Sequence, residues 1–213
     1  MKPMSSKGEM HPIRSELDIA RQLITRWDVG HIGDWYVGVS LIARDLKVSP
    51  DIDLLRVYTN QYRPEDSTAI GIELKMLKPR KFGENTWRIP MSPFYQGIGQ
   101  VLTYFEHGID RAALVIGFHE ECDRHPTESK QAERLLRTHC SAMKSSILAA
   151  LPYLLIYSMK GGSLESLVSS PNWDRVRFPI QDQETKLRRD SILRLQFAPK
   201  TLGAAALSPK ANI

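Results

Sequence analysis

Apolar residues recur along this chain at two spacings, and the switches between them outline the elements. In "HPIRSELDIARQLITRW" Leu17, Ala20, Leu23, Ile24 and Trp27 return at the helical period, with Glu16 at the start of the predicted helix. "DWYVGVSLIARDL" reads as one strand or two, and "SPDIDLLRVYT" as another, opened by Pro50. "NQYRPEDST" is a turn, and "AIGIELKML" is the next strand. "KPRKFGENTWRIPMSP" carries too much Gly, Pro and positive charge for a core element and is expected to be a loop.

"SPFYQGIGQVLTYFEHG" then predicts a helix with Ser92 as N-cap, Pro93 in the first turn and Gly108 as terminator. Gly97 and Gly99 would each weaken an isolated helix by roughly 1 kcal/mol against alanine, so both are expected where the helix packs closely on the sheet. "RAALVIGFH" is a continuous apolar run of the kind buried on both faces of a helix-covered sheet. A long amphipathic helix from about Thr127 to Ala150 and a strand in "PYLLIYSM" follow. In the tail, "DSILRLQFA" is a candidate edge strand and "LGAAALSPKANI" is expected to be loose. Helix, three strands, helix, strand, helix, strand is the order of an α/β protein with a mixed central sheet flanked by helices.

One apolar strand breaks its own pattern. In "AIGIELKMLK" Glu73 and Lys75 share one side while Ile72, Leu74 and Met76 take the other. An acid-x-Lys triplet alone carries little, since Asp45/Lys47, Glu128/Lys130 and Glu184/Lys186 repeat it. Only Glu73/Lys75 lies in a clear strand, with an acidic strand upstream where Asp51 and Asp53 also share a face. If the two strands are neighbours, a carboxylate from each can meet. Such carboxylates repel unless a cation lies between them, and hard oxygen ligands suit Mg²⁺ or Mn²⁺. A lysine beside that metal can hold or help deprotonate an attacking water and offset charge developing on phosphorus.

"PDIDLL", then "IELK", then a helix reading "YQGIGQVLTY" together resemble the PD-(D/E)XK nuclease superfamily over roughly residues 13 to 118. The resemblance implies a restriction-endonuclease-like core, αβββαβ with a further helix and strand. It implies a Mg²⁺- or Mn²⁺-dependent nuclease that hydrolyses phosphodiester bonds through a metal-activated water, with nucleic acid, DNA ahead of RNA, as partner. Asp53 resembles the metal-binding aspartate, Asp51 being the second choice although it makes the literal "PD". Glu73 resembles the second ligand, Lys75 the catalytic lysine, and Glu16 the extra acid that many members add from the first helix. Gln96, Gln100 and Tyr104 are spaced by four along one stripe, and Gln100 and Tyr104 look like the Gln-x-x-x-Tyr feature of the RecB-like branch, where they support the site. That branch sometimes carries an iron–sulfur cluster, which is not expected here. Lys78, Arg80, Lys81 and Arg88 follow the proposed site directly and are candidates to hold phosphates. The same scaffold also serves as a non-catalytic nucleic-acid-binding or assembly module, which is the alternative.

The totals narrow this picture. At 213 residues the chain reads as a tail at 1–12, one domain at 13–200 and a second tail at 201–213. No apolar run approaches the ~20 residues of a membrane span, and the polar N-terminus lacks a secretory core, so a cytoplasmic protein without a membrane partner is expected. The 29 basic against 24 acidic residues give a net charge of +5, which permits a polyanionic partner without demanding one. Cys122 and Cys140 are the only cysteines, which excludes a disulfide framework and a four-cysteine cluster from this chain alone. A zinc site from His119, Cys122 and His125, with His139 or Cys140 as fourth ligand, is a rival whose spacing matches no common zinc pattern. No GxSxG elbow, P-loop or dinucleotide-binding GxGxxG turn occurs. Many nucleases of this fold act as dimers, so a homodimer is allowed by the resemblance.

Overall fold

The computed structural model describes residues 12–27, 33–40, 51–144, 151–170, 173, 176–194 and 198–199. Both tails named above, except residue 12, and the segments at 41–50 and 145–150 lie outside the described residues. The elements are α1 (Glu16–Trp27), β1 (Asp34–Ser40), β2 (Asp51–Tyr58), β3 (Thr68–Leu77), β4 (Arg80–Lys81), β5 (Trp87–Arg88), α2 (Ser92–Glu106), β6 (Arg111–Phe118), α3 (Pro126–Lys144), β7 (Leu154–Lys160), β8 (Ser163–Val168), α4 (Gln183–Leu193) and β9 (Ala198–Pro199).

One mixed sheet has the order β8-β7-β6-β3-β2-β1-β9, with β9 described at Ala198–Pro199. The two parallel pairs, β3 with β6 and β6 with β7, are those whose connections run through α2 and α3. That is what a parallel pair requires, since the chain must return across a face of the sheet. β6 is buried at every position, as its unbroken apolar run demands. Two cores result. Tyr104, Phe94 and Val101 of α2 and Leu136 of α3 pack with Leu114, Ile116 and Phe118 on one face. Ile19, Ala20, Leu23 and Ile24 of α1 pack with Ile72, Leu74, Ala113 and Val115 on the other.

Several local expectations are corrected. The loop after β3 folds into a small hairpin of its own, β4 pairing antiparallel with β5 through Arg80↔Arg88 and Lys81↔Trp87. Ser92 is the first residue of α2 rather than its cap. Met91 precedes it without a side-chain bond, and Pro93 supplies the fixed first-turn geometry instead. Gly108 ends α2 as expected, with φ +85°. Gly97 is in close contact, but a Cβ on Gly99 would meet nothing within 4 Å. The stretch read as an edge strand at "DSIL" instead finishes α4, which Asp182 caps by accepting the amide of Thr185 at 2.7 Å. β8, antiparallel to β7 across the Gly161–Gly162 turn, was not expected from the sequence.

Candidate active site where two strands part

The β2–β3 ladder runs from Tyr58↔Thr68 to Leu54↔Ile72 and ends there. One step further, Asp53 and Glu73 stand at the mouth of the gap. The peptide N–H of Leu74, which a continuing ladder would have paired with β2 backbone, donates to Asp53 Oδ2 at 2.8 Å. A side chain has replaced a main-chain acceptor, so the carboxylate of Asp53 is fixed between the diverging strands.

Glu73 is 1% exposed and has both oxygens engaged. Lys75 Nζ donates to Oε1 and the Tyr104 hydroxyl to Oε2. The same hydroxyl lies 3.2 Å from the carbonyl oxygen of Asp51. Tyr104 reaches this position because Gly71, on the face shared with Glu73 and Lys75, has no side chain. A Cβ there would come within 2.8 Å of the tyrosine ring. Gly97 does the same for lysine, since a Cβ would lie 3.0 Å from Lys75 Cγ and 2.5 Å from Leu114 Cδ1. The two glycines therefore shape the site. Gly71 was missed in the sequence, although its position two residues before Glu73 puts it on the same face and so marks it as a place of close approach.

The electrostatics make these residues one unit. Burial and the negative charge of Asp53 push the Glu73 carboxyl above its ordinary range, against the opposing bonds from Lys75 and Tyr104. Glu16 opens α1 and is exposed overall, yet partial desolvation and then Asp53 push its carboxyl up as well, with Lys75 pulling it down. Burial works against the Lys75 ammonium, but the bond and charge of Glu73, followed by Asp53 and Glu16, outweigh it and raise its pKa. Burial first, then Glu73, keeps the Tyr104 phenol protonated far above its usual range. Glu16, Asp53, Glu73 and Lys75 thus feel one another across three elements.

The remaining candidates divide. Tyr104 is buried against Glu73, whereas Gln96 and Gln100 are exposed on α2. Asp51 is exposed at the start of β2. Lys78 pairs with Glu121 at 3.3 Å, and Arg80 and Lys81 are exposed on the hairpin. Four of the five rival zinc ligands are occupied with other work, and Cys140 is buried in the core. His119 Nδ1 accepts the amide of Glu121 at 3.1 Å, the Cys122 thiol points to the Leu77 carbonyl at 3.5 Å, His125 packs on Trp87 with ring centres 4.3 Å apart, and His139 meets the Tyr95 hydroxyl at 3.2 Å.

Among the described residues no three His, Cys, Asp or Glu side chains come together so as to share a metal ion. In the acidic cluster Glu73 gives one oxygen to Lys75 and the other to Tyr104. Each of those oxygens keeps a second lone pair, so a cation can approach Glu73 beside these bonds. The donor set itself, carboxylates whose proton affinity is raised by burial and then by the charge of Asp53, has the all-oxygen character a hard divalent cation requires.

The fold and site define an α/β chain with a mixed sheet and a carboxylate–lysine cluster at the opening of two antiparallel strands. Compared with models of known families and with curated proteins, the chain matches none. No helix among the described residues is long and apolar enough to cross a membrane.

Proposed function

We propose that this chain is a divalent-cation-dependent nuclease that hydrolyses phosphodiester bonds of nucleic acid, DNA ahead of RNA, on a restriction-endonuclease-like core. The observation that carries the reading is the gap at Asp53 and Glu73, where two carboxylates and the Lys75 ammonium share one electrostatic environment. Leaving aside the β4–β5 hairpin between β3 and α2, the order α1-β1-β2-β3-α2-β6 supports it, being the order the PD-(D/E)XK resemblance implies.

Asp53 and Glu73 are the residues that would hold Mg²⁺ or Mn²⁺, with Glu16 as a third acid from α1. A cation held there supplies Lewis acidity towards a phosphoryl oxygen. The chain's own groups do the rest. The Leu74 amide orients Asp53, and Tyr104 orients Glu73 from the opposite side to Lys75. Lys75, beside Glu73, presents a positive charge to the scissile phosphate and can position the attacking water. Its raised pKa keeps it an ammonium at neutral pH, so it acts as charge and proton donor to the reacting oxygen atoms rather than as a free base.

The test is cleavage of plasmid and oligonucleotide by the purified full chain with Mn²⁺. Wild type is expected to cut and Lys75→Ala to lose activity by orders of magnitude while keeping its melting temperature within a few degrees. Equal cleavage by both proteins, or none by either, counts against the proposal. One observation favours a second reading, a nucleic-acid-binding module that does not cut: Glu73 is already satisfied without a metal. Binding that is indifferent to divalent ions, with no cleavage, would select it.

A further inference from the structure

The β4–β5 hairpin begins three residues after Leu77, at the end of the strand that carries Lys75. Its chemistry is unusual for a surface turn. Arg80 lies directly across from Arg88, and Phe82, two residues beyond Arg80, shares their face. Like charges placed opposite each other on a two-stranded ribbon are destabilising, and no carboxylate among the described residues is within ion-pair distance of Arg80, Lys81 or Arg88. Phe82 is 69% exposed, with the Arg88 guanidinium 4.2 Å from its ring centre. The opposite face of the hairpin is the anchored one: Trp87, across from Lys81, packs on His125. The turn is closed by the Phe82 amide donating to the Thr86 carbonyl at 2.8 Å. A fixed ribbon therefore holds an aromatic ring and two unneutralised cations out towards solvent.

An exposed ring flanked by cations fits one kind of partner well. Unpaired bases offer π faces that stack on aromatic side chains, and the phosphates between them are bound by the neighbouring cations. In a duplex those faces are covered by adjacent base pairs. We infer that the β4–β5 hairpin is a single-strand nucleic-acid clamp, in which Phe82 stacks on an unpaired base and Arg80 and Arg88 hold the phosphates beside it. From Lys75 to Arg80 is five residues, no more than about 17 Å of extended chain, so a strand held by the hairpin is delivered to the acidic cluster. This deepens the proposed function by naming the substrate's form, single-stranded or frayed, and to that extent rests on it.

Binding is measured without cleavage, by fluorescence anisotropy of a labelled mixed-sequence oligonucleotide with the full chain in EDTA. Wild type is expected to bind the single strand, and Phe82→Ala to bind about tenfold more weakly, the order that one base–aromatic stack is worth. Phe82→Trp should bind at least as well as wild type. The double variant R80A/R88A should lower the slope of log affinity against log salt by about 1.4, two phosphate contacts at ~0.7 each. The same sequence as a duplex should bind more weakly and be indifferent to Phe82→Ala. Phe82 is exposed, so unchanged melting of the alanine variant separates lost stacking from lost folding. Equal single-strand affinity of wild type and Phe82→Ala overturns the inference, as does a duplex bound more tightly than the single strand, or no binding at all. Phe82-dependent binding with no cleavage under Mn²⁺ would sink only the catalytic proposal, and cleavage with Phe82-independent binding only the clamp.

Discussion

Gly97 and Gly99 lie on the same helix, two residues apart, and should respond to the same substitution in opposite ways. Alanine raises the intrinsic stability of a helix interior by about 1 kcal/mol over glycine. At Gly99 that gain stands alone, because a Cβ meets nothing within 4 Å. At Gly97 the new carbon would be placed 2.5 Å from Leu114 Cδ1 and 3.0 Å from Lys75 Cγ. The first distance is roughly 1 Å or more inside the carbon–carbon optimum of about 3.5–4.0 Å, and Leu114 lies in the fully buried β6 with little room to withdraw. Overpacking of this kind costs about 1–3 kcal/mol, so Gly97→Ala should fall between no net change and a loss of about 2 kcal/mol. The two variants should therefore differ by about 1–3 kcal/mol. For a chain of this size that is roughly 2–4 °C in melting temperature per kcal/mol, with Gly99→Ala above wild type. Urea and thermal unfolding of the three proteins measure it. Equal stabilities for the two variants, or a Gly99→Ala less stable than Gly97→Ala, would show that α2 does not lie on β3 and β6 in this register. Lys75 provides a second reading of the same contact: Gly97→Ala should also shift its stem and impair cleavage, where Gly99→Ala should not.

Two further outcomes follow from burial. The Glu73 carboxyl is pushed up by desolvation and by Asp53, so the folded chain holds its proton more tightly than the unfolded chain does. Its contribution to stability is then full below about pH 4.5, the ordinary glutamate value, and is lost as pH rises through the raised folded value. Glu73→Gln removes that loss, and its stability relative to wild type, measured by urea unfolding at a series of pH values, should climb from acid towards neutral pH; a flat difference would refute the assignment. Burial likewise pushes the Cys122 thiol up to about 11 and the Cys140 thiol up to about 12. Neither should react with a disulfide reagent in the native chain at mildly alkaline pH, and both should react in urea; rapid native labelling of either would contradict its placement.

Much of this fold was legible because its signals are local. The uninterrupted apolar run of β6, the alternation in β3 and the helical stripe of α1 each specify an element without knowledge of the rest. The Glu73/Lys75 pair was legible for the same reason, since strand alternation alone puts the two on one side. What escaped depended on partners distant in sequence. β8 carries Glu165 facing Arg137 of α3 rather than an apolar stripe, so its burial pattern is weak and its identity rests on pairing with β7. The "DSIL" segment has strand-like composition, but the Asp182 cap starts a helix upstream and carries it through Leu193. The difference between Gly97 and Gly99 is set by Leu114, a neighbour supplied by another strand. The role of Asp53 as a substitute acceptor for Leu74 exists only because the ladder stops at Leu54.

That arrangement also fixes how a divalent ion should be felt by the whole chain. With Glu16, Asp53 and Glu73 ionised against Lys75, three negative charges face one positive charge, an excess of two, and the charge of Asp53 adds to burial in raising the proton affinities of Glu16 and Glu73. On the proposed reading a divalent cation would cancel that excess and would bind the folded chain far better than the unfolded one. Mn²⁺ at about a hundred times its dissociation constant would then stabilise by about 2.7 kcal/mol, some 5–10 °C in melting temperature for a chain of this length. Protons compete for the same oxygens, so the rise should be larger near pH 8 than near pH 5, on the order of a few degrees apart. Asp53→Asn combined with Glu73→Gln should abolish both the rise and its pH dependence without unfolding the chain, because each replacement keeps the shape of the side chain while removing its charge and one of its two acceptor oxygens. An equal Mn²⁺-induced rise in the double variant would place the cation elsewhere on the surface, and the carboxylates at the strand gap would then be a buried ion-pair network with no claim to chemistry.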